Sequence, residues 1–150
     1  MDIHTVLVPT DFSEHAEHAF IWAVSLAEQW HARIVLVHAV PLLHHVSVPE
    51  RLLIDLPHLD TERVIEAEKH LQDFLTEKRK PASVTVETRI VRGDPFWAIC
   101  QAAEQEHADL IVMGSHGRTG LAHVLLGSVA ERVVRHAPCP VLISRRSPAQ

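Results

Sequence analysis

Asp109-Leu-Ile-Val-Met113 runs directly into Gly114-Ser-His-Gly117-Arg-Thr-Gly-Leu-Ala-His-Val-Leu-Leu-Gly127-Ser128, and the order of those parts decides the fold. The short apolar run reads as a buried strand, the glycine-spaced stretch as a loop, and Gly127-Ser128 as the start of a helix. Strand, glycine loop and helix start in that order make a cradle for an anion. Glycines let backbone N–H groups come close to it, and a helix N-terminus adds unsatisfied donors and a partial positive charge. The ligand such a cradle implies is a nucleotide or another phosphorylated small molecule.

Outward from that stretch the same alternation repeats. Residues 3–8, Ile-His-Thr-Val-Leu-Val, predict a buried strand that Pro9 stops. Ala16, Ala19, Phe20, Ala23, Val24 and Ala27 recur at spacings of three and four, which predicts a helix over 13–30. Residues 33–40 are short, apolar and rich in β-branched side chains, the mark of a strand buried on both faces. Residues 41–58 carry Pro41, Pro49, Pro57 and His44-His45 without a clean period and read as a long connection. A helix over about 60–79 follows, with Val64, Ala67, Leu71, Phe74 and Leu75 inward, and Lys80-Pro81 ends it.

Residues 84–90 alternate as a strand nearer the sheet's edge. Gly93-Asp94-Pro95 opens the next helix, with Asp94 as N-cap, Pro95 at the first helical position, and Phe96, Ile99, Cys100 and Ala103 as its apolar stripe. The last helix begins near Ser128 and carries Val129, Val133 and Val134; Pro138-Cys139-Pro140 then leads into a fifth strand, Val141–Ser144. Five strands alternating with four helices give an α/β fold, an open and mainly parallel sheet with helices on both faces. Ligands in such sheets bind at the carboxyl ends of the strands, where strand order reverses. Loops 9–13, 40–58, 91–94 and 114–127 are therefore the ones that matter.

The 150 residues make one domain in size, and 47% apolar content is ordinary for a chain with a sizeable core. A net charge of −5 argues against a nucleic-acid binder relying on broad positive charge, though a local site such as Arg145-Arg146 stays open. No apolar run approaches the roughly 20 residues of a membrane helix. Met-Asp-Ile-His-Thr at the start lacks the charged and apolar regions of a signal peptide. A soluble cytoplasmic protein is the expectation, with no membrane or nucleic-acid partner. The two cysteines, Cys100 and Cys139, form no CxxC pair and read as structural thiols. The 13 histidines are scattered and include no HExxH. His15 and His18, three apart, share a helix face. A metal site there is the alternative to a surface that turns positive as pH falls toward about 6.

The chain has neither GxxxxGK[ST] nor a GxGxxG after its first strand. What it has is G-x2-G-x9-G-S, over Gly114, Gly117, Gly127 and Ser128. Ser128-Val-Ala-Glu131 also fits a capping box, so Ser128 is a helix cap, a phosphate ligand or both. Arg118 is either a charged donor to phosphate oxygens or a solvated loop residue. Asp11 either meets ribose hydroxyls, or a metal held by phosphates, or caps a helix through Asp11-Phe-Ser-Glu14. Ala39 ends the second strand, where backbone groups are placed to read an adenine edge. No base–nucleophile pair and no G-x-S-x-G is evident. His116, in the loop, is an acid–base candidate or a surface histidine.

Taken together these residues resemble the universal stress protein family over nearly the whole chain. The resemblance rests on Val6-Leu-Val-Pro-Thr-Asp-Phe-Ser13, Val37-His38-Ala39-Val40, Gly93-Asp94-Pro95 and Asp109–Gly117. Leu125-Leu-Gly-Ser-Val-Ala-Glu-Arg-Val133 and Pro138-Cys-Pro-Val-Leu-Ile143 complete it. It implies a five-stranded parallel sheet of order 3-2-1-4-5, adenine nucleotide alpha hydrolase-like, formed by one universal stress protein domain over 1–150. It implies binding of ATP or another adenine nucleotide, with magnesium, in members that carry the intact motif. Asp11 would lie near ribose and phosphates, and near any nucleotide-bound magnesium, with Ala39 at the adenine through its backbone. Gly114 and Gly117 would line the ribose and phosphate path, and Gly127, Ser128 and Val129 would grip the phosphates. Pro9, Thr10, Met113 and Arg118 complete the set.

The resemblance further implies a homodimer through the edge strand Val141–Ser144, and a stress-response or signalling protein with slow or no hydrolysis. Its protein partner is left open. A weak ATPase or nucleotide-transfer enzyme and a nucleotide-free interaction module stand as alternatives; the HxGH signature of nucleotidyl transferases is absent.

Overall fold

The computed structural model describes residues 2–42, 56–78, 80–118 and 126–145. Its first strand, β1 (Thr5–Pro9), is wholly buried, as its apolar run requires. It includes Pro9 rather than stopping before it, because the next donor continues the ladder: Thr10 N–H reaches the Val37 carbonyl at 2.8 Å. Helix α1 (Glu14–Trp30) follows, with Ala16, Ala19, Phe20, Ala23, Val24 and Ala27 buried on one stripe. The cap is Ser13, whose hydroxyl accepts the Ala16 N–H at 3.2 Å. The alternative of Asp11 as cap is thereby corrected. Strand β2 (Arg33–Val40) has its expected bounds.

Residues 43–55, most of the long connection, lie outside the described residues. Helix α2 (Leu56–Glu77) begins earlier than its apolar period suggests and ends before Lys80-Pro81. Ala67, Leu71 and Phe74 are buried on its inner face. Strand β3 (Val86–Arg92) sits slightly later than the alternation of 84–90 implies. Helix α3 (Pro95–Gln105) starts as read, with the Asp94 side chain accepting the Trp97 N–H and Pro95 in the first turn. Strand β4 (Leu110–Gly114), helix α4 (Ser128–His136) and strand β5 (Val141–Ser144) complete the chain. In α4, Val133 is buried but Val134 is 48% exposed, so the expected stripe is narrower by one residue.

The sheet order is β3-β2-β1-β4-β5, and every pairing is parallel. Side chains alternate across it, as the period of two demands. Leu7, Val35, Val37, Ile111 and Met113 face α3 and α4, while Val6, Val8, Ile34, Leu36 and Val112 join α1 and α2 in a second core. The rings of Phe20 and Phe74 meet edge to face at 5.3 Å where α1 packs on α2.

At the amino ends of the strands, polar groups do the joining. Asp109 accepts the N–H groups of His4 and Thr5 at 2.8 and 3.0 Å, tying β4 to β1. Four charges close a ring around the start of β2 and β3. Arg33 meets Glu87 and Glu106, each at 3.2 Å, and Arg89 meets Glu87 at 2.8 Å and Glu106 at 2.9 Å. Both cysteines are free thiols. Burial pushes each above its ordinary pKa, which works against thiolate chemistry at neutral pH.

Candidate functional site

The chain leaves β1 toward β2 and β3 and returns to β4 on the other side, so strand order reverses between β1 and β4. A cavity of about 470 Å³ opens there, at the carboxyl ends of the strands. That size lies within the range of ligand pockets, about 300–1,000 Å³. Pro9, Thr10, Asp11, Ala39, Met113, Gly114, Gly117, Arg118, Gly127, Ser128 and Val129 all line it, so the residues expected at a nucleotide site lie around one cavity. Val37, His38, Pro95, Ile99 and His116 line it as well. Val37 belongs to the Val37-His38-Ala39-Val40 stretch and Ile99 to the apolar stripe of α3, yet neither is among the residues expected at the site. Periodicity places them: Val37 shares a face of strand β2 with Ala39, and Ile99 lies on the buried stripe of helix α3.

The loop after β1 is pinned from three sides. The Thr10 hydroxyl accepts the Phe12 N–H at 3.0 Å, and Asp11 Oδ1 accepts the Ser13 N–H at 3.0 Å. Phe12 adopts a left-handed backbone with φ of 64°, uncommon for a side chain of that bulk. Its ring compensates by packing 4.6 Å from His38 and 5.6 Å from His70. His38 Nδ1 lies 2.8 Å from the Thr10 carbonyl oxygen. A carbonyl only accepts, so Nδ1 carries the hydrogen. Burial is the main cause holding His38 below its ordinary pKa, with Arg118 adding to it, and the imidazole is neutral at neutral pH.

The loop after β4 owes its glycines to close approaches. A Cβ on Gly114 would lie 2.9 Å from the backbone of His15 in α1. On Gly117 it would lie 2.7 Å from Asp11 Oδ2, and on Gly127 it would press on the Ser115 carbonyl at 3.2 Å. Gly127 N–H also donates to that carbonyl at 2.7 Å, folding the loop back on itself at the mouth of α4. Arg118 crosses to the first loop: its N–H donates to Asp11 Oδ2 at 2.9 Å and its Nε to the Asp11 carbonyl at 2.8 Å.

Helix α4 is capped by Gly127, in extended conformation and without a side-chain bond, and not by Ser128. The capping-box alternative is corrected accordingly: Ser128 is the first helical residue, and Glu131 pairs with Arg135 at 2.9 Å. Either residue of a glycine-serine pair suits a cap, and the tight fit of Gly127 on Ser115 decides between them. The first-turn N–H groups of α4 have no partner inside the helix and open on the cavity wall at Ser128 and Val129.

The histidines of α1 part company. The His15 and His116 rings lie 5.5 Å apart in a tilted arrangement, while His18 Nδ1 bonds the Ser144 hydroxyl at the end of β5. No group of three metal-ligating side chains comes together among the described residues. The wall thus has an apolar part, with Val37, Ala39, Ile99 and Met113, suited to a flat heterocycle. Its other part holds glycine loops, a helix start and Arg118, suited to phosphate. Those two parts suit a ligand with a flat ring at one end and an anionic group at the other.

A doubly wound parallel sheet with a glycine-lined cleft at its switch point defines the class of α/β protein, and comparison places it further. The sequence profile of the universal stress protein family matches residues 2–145. The chain belongs to that family. It is 35% identical over 142 residues to a universal stress protein of Methanocaldococcus jannaschii, covering 94% of this chain and 81% of that one. Among solved structures it is similar to universal stress protein UspA from Lactobacillus plantarum, at 30% identity and a TM-score of 0.76, covering 97% and 99% of the two chains. It is also similar to a universal stress protein solved in complex with cAMP, at 26% identity and a TM-score of 0.62, covering 98% and 100%. Among the described residues, no helix is long and apolar enough to cross a membrane.

Proposed function

We propose that this chain is a single-domain, cytoplasmic universal stress protein that binds ATP or another adenine nucleotide between the first and fourth strand-end loops. One observation carries the reading: Gly114, Gly117 and Gly127, distant from Asp11 and Ala39 in sequence, converge with them and the start of α4 on one cavity at the switch point. A family member in complex with cAMP, itself an adenine nucleotide, supports it. Adenine would lie along Ala39, Val37 and Ile99. Phosphates would take the first-turn N–H groups of α4 and the Ser128 hydroxyl, with a magnesium ion beside Asp11. Binding, with slow or no hydrolysis, would be the working event in stress response or signalling.

A homodimer through β5 accompanies this reading. β5 is an edge strand whose Val141, Leu142 and Ile143 are only half-buried. Trp22, 50% exposed, lies one helical turn from His18, which bonds Ser144 of the same strand. An apolar edge flanked by an exposed tryptophan suits a second copy across a two-fold axis.

The deciding experiment is to denature the purified protein and analyse the released small molecules by ion-exchange chromatography with mass detection. Stoichiometric ATP or ADP is expected. A protein that is empty, and that also shows no heat with millimolar Mg-ATP in calorimetry, would overturn the reading in favour of a protein-interaction module.

A further inference from the structure

One of the backbone donors on the phosphate side of this cleft, the Arg118 N–H, is already engaged by an anion of the protein's own, the Asp11 carboxylate. Arg118 donates twice to Asp11, through its N–H to Oδ2 at 2.9 Å and through Nε to the carbonyl at 2.8 Å. A backbone N–H in a glycine loop and a guanidinium are the groups a phosphate oxygen would use. Gly117 completes the contact, since its Cα lies so close that an added Cβ would stand 2.7 Å from Oδ2. The other carboxylate oxygen is held by Ser13 N–H at 3.0 Å, so the carboxylate is anchored to the start of α1 while it grips the opposite loop.

We infer that the Asp11 carboxylate is an internal latch. It occupies the Arg118 N–H of the β4 loop, while the Asp11 carbonyl holds the Arg118 Nε, and an anionic phosphate competes with the carboxylate for that N–H. The inference rests on the nucleotide reading above and adds how that site is regulated. One N–H cannot serve two anions, so phosphate binding there displaces the Asp11 carboxylate from Arg118 and removes one of the two bonds that couple the loops. Asp11 is then a positioning residue of the site, and the glycine at 117 is there to let the latch close.

Asp11→Asn keeps the size of the side chain and removes its charge. In EDTA, which excludes any metal bridge between carboxylate and phosphate, the variant should bind ATP about five- to tenfold more tightly than the parent. That is the difference between a charged and a neutral acceptor on one donor. The Arg118 amide hydrogen of the ligand-free variant should also exchange faster by NMR, as should that of Gly117→Ala, which crowds the carboxylate sterically. Unchanged or weaker ATP binding by Asp11→Asn overturns the competition. Unchanged amide exchange in both variants overturns the latch itself. If neither parent nor variant takes ATP with or without magnesium, the nucleotide reading has failed, and the exchange rate at Arg118 still decides whether the latch exists.

Discussion

Gly114 and His15 stand so close that a Cβ on the glycine would lie 2.9 Å from both the carbonyl carbon and the carbonyl oxygen of the histidine. Backbone has no rotamer with which to yield. Gly114→Ala would therefore push the first turn of α1 off β4, at a cost of about 1–3 kcal/mol, the usual penalty of overpacking. Urea unfolding checks it. A loss within about 0.5 kcal/mol, the range of neutral surface changes, would mean that the helix has slack there.

Ser128 separates two duties that the sequence cannot. Because Gly127 is the cap, Ser128→Ala should leave stability within about 0.5 kcal/mol of the parent. ATP affinity should fall by at least about tenfold, the net worth of one hydrogen bond to a charged group. A melting temperature lowered with affinity intact would reverse the assignment and make Ser128 the cap after all.

His38 makes stability depend on pH in a definite direction. Its folded pKa lies below the ordinary 6.5, chiefly through burial. The unfolded chain therefore takes up the proton first as pH falls. The contribution is whole above 6.5, declines below it, and is lost as pH passes the folded value. His38→Gln removes that contribution. Between pH 7.5 and 5.5 the parent should lose more stability than the variant. Equal losses would show that the imidazole is not held neutral against Thr10.

Sedimentation tests the β5 interface. The parent should run as a dimer, and Trp22→Glu, which alters an exposed side chain and spares the core, should raise the dissociation constant at least tenfold, as loss of an aromatic anchor does. A monomeric parent at micromolar concentration would remove the edge strand from consideration.

The architecture was legible because its signals are local. Asp94-Pro95 opens α3 as read, since cap and first-turn proline act on their own neighbours. The stripes of α1 and α3 needed only the helical period. The cavity wall was legible for a different reason, the resemblance of separate stretches to one family. What stayed hidden was pairwise and distant. Nothing near Gly114 announces His15, and nothing near Asp11 announces Arg118, 107 positions away. The small errors at Ser13 and Gly127 came from neighbours that are equally good caps, between which only packing chooses. The clamp of His38 on Thr10 also escaped, for a histidine on a strand leaves no sign of what it will face.

The ring of Arg33, Glu87, Arg89 and Glu106 bears on how many copies can gather. It covers the start of β3, one rim of the sheet, with charge, which discourages strand-to-strand pairing there. The other rim, β5, is short and aliphatic. A sheet with two adhesive rims can add neighbours without end and grow into a filament. A sheet with one can join only the matching rim of its twin, and after that union no sticky margin is left.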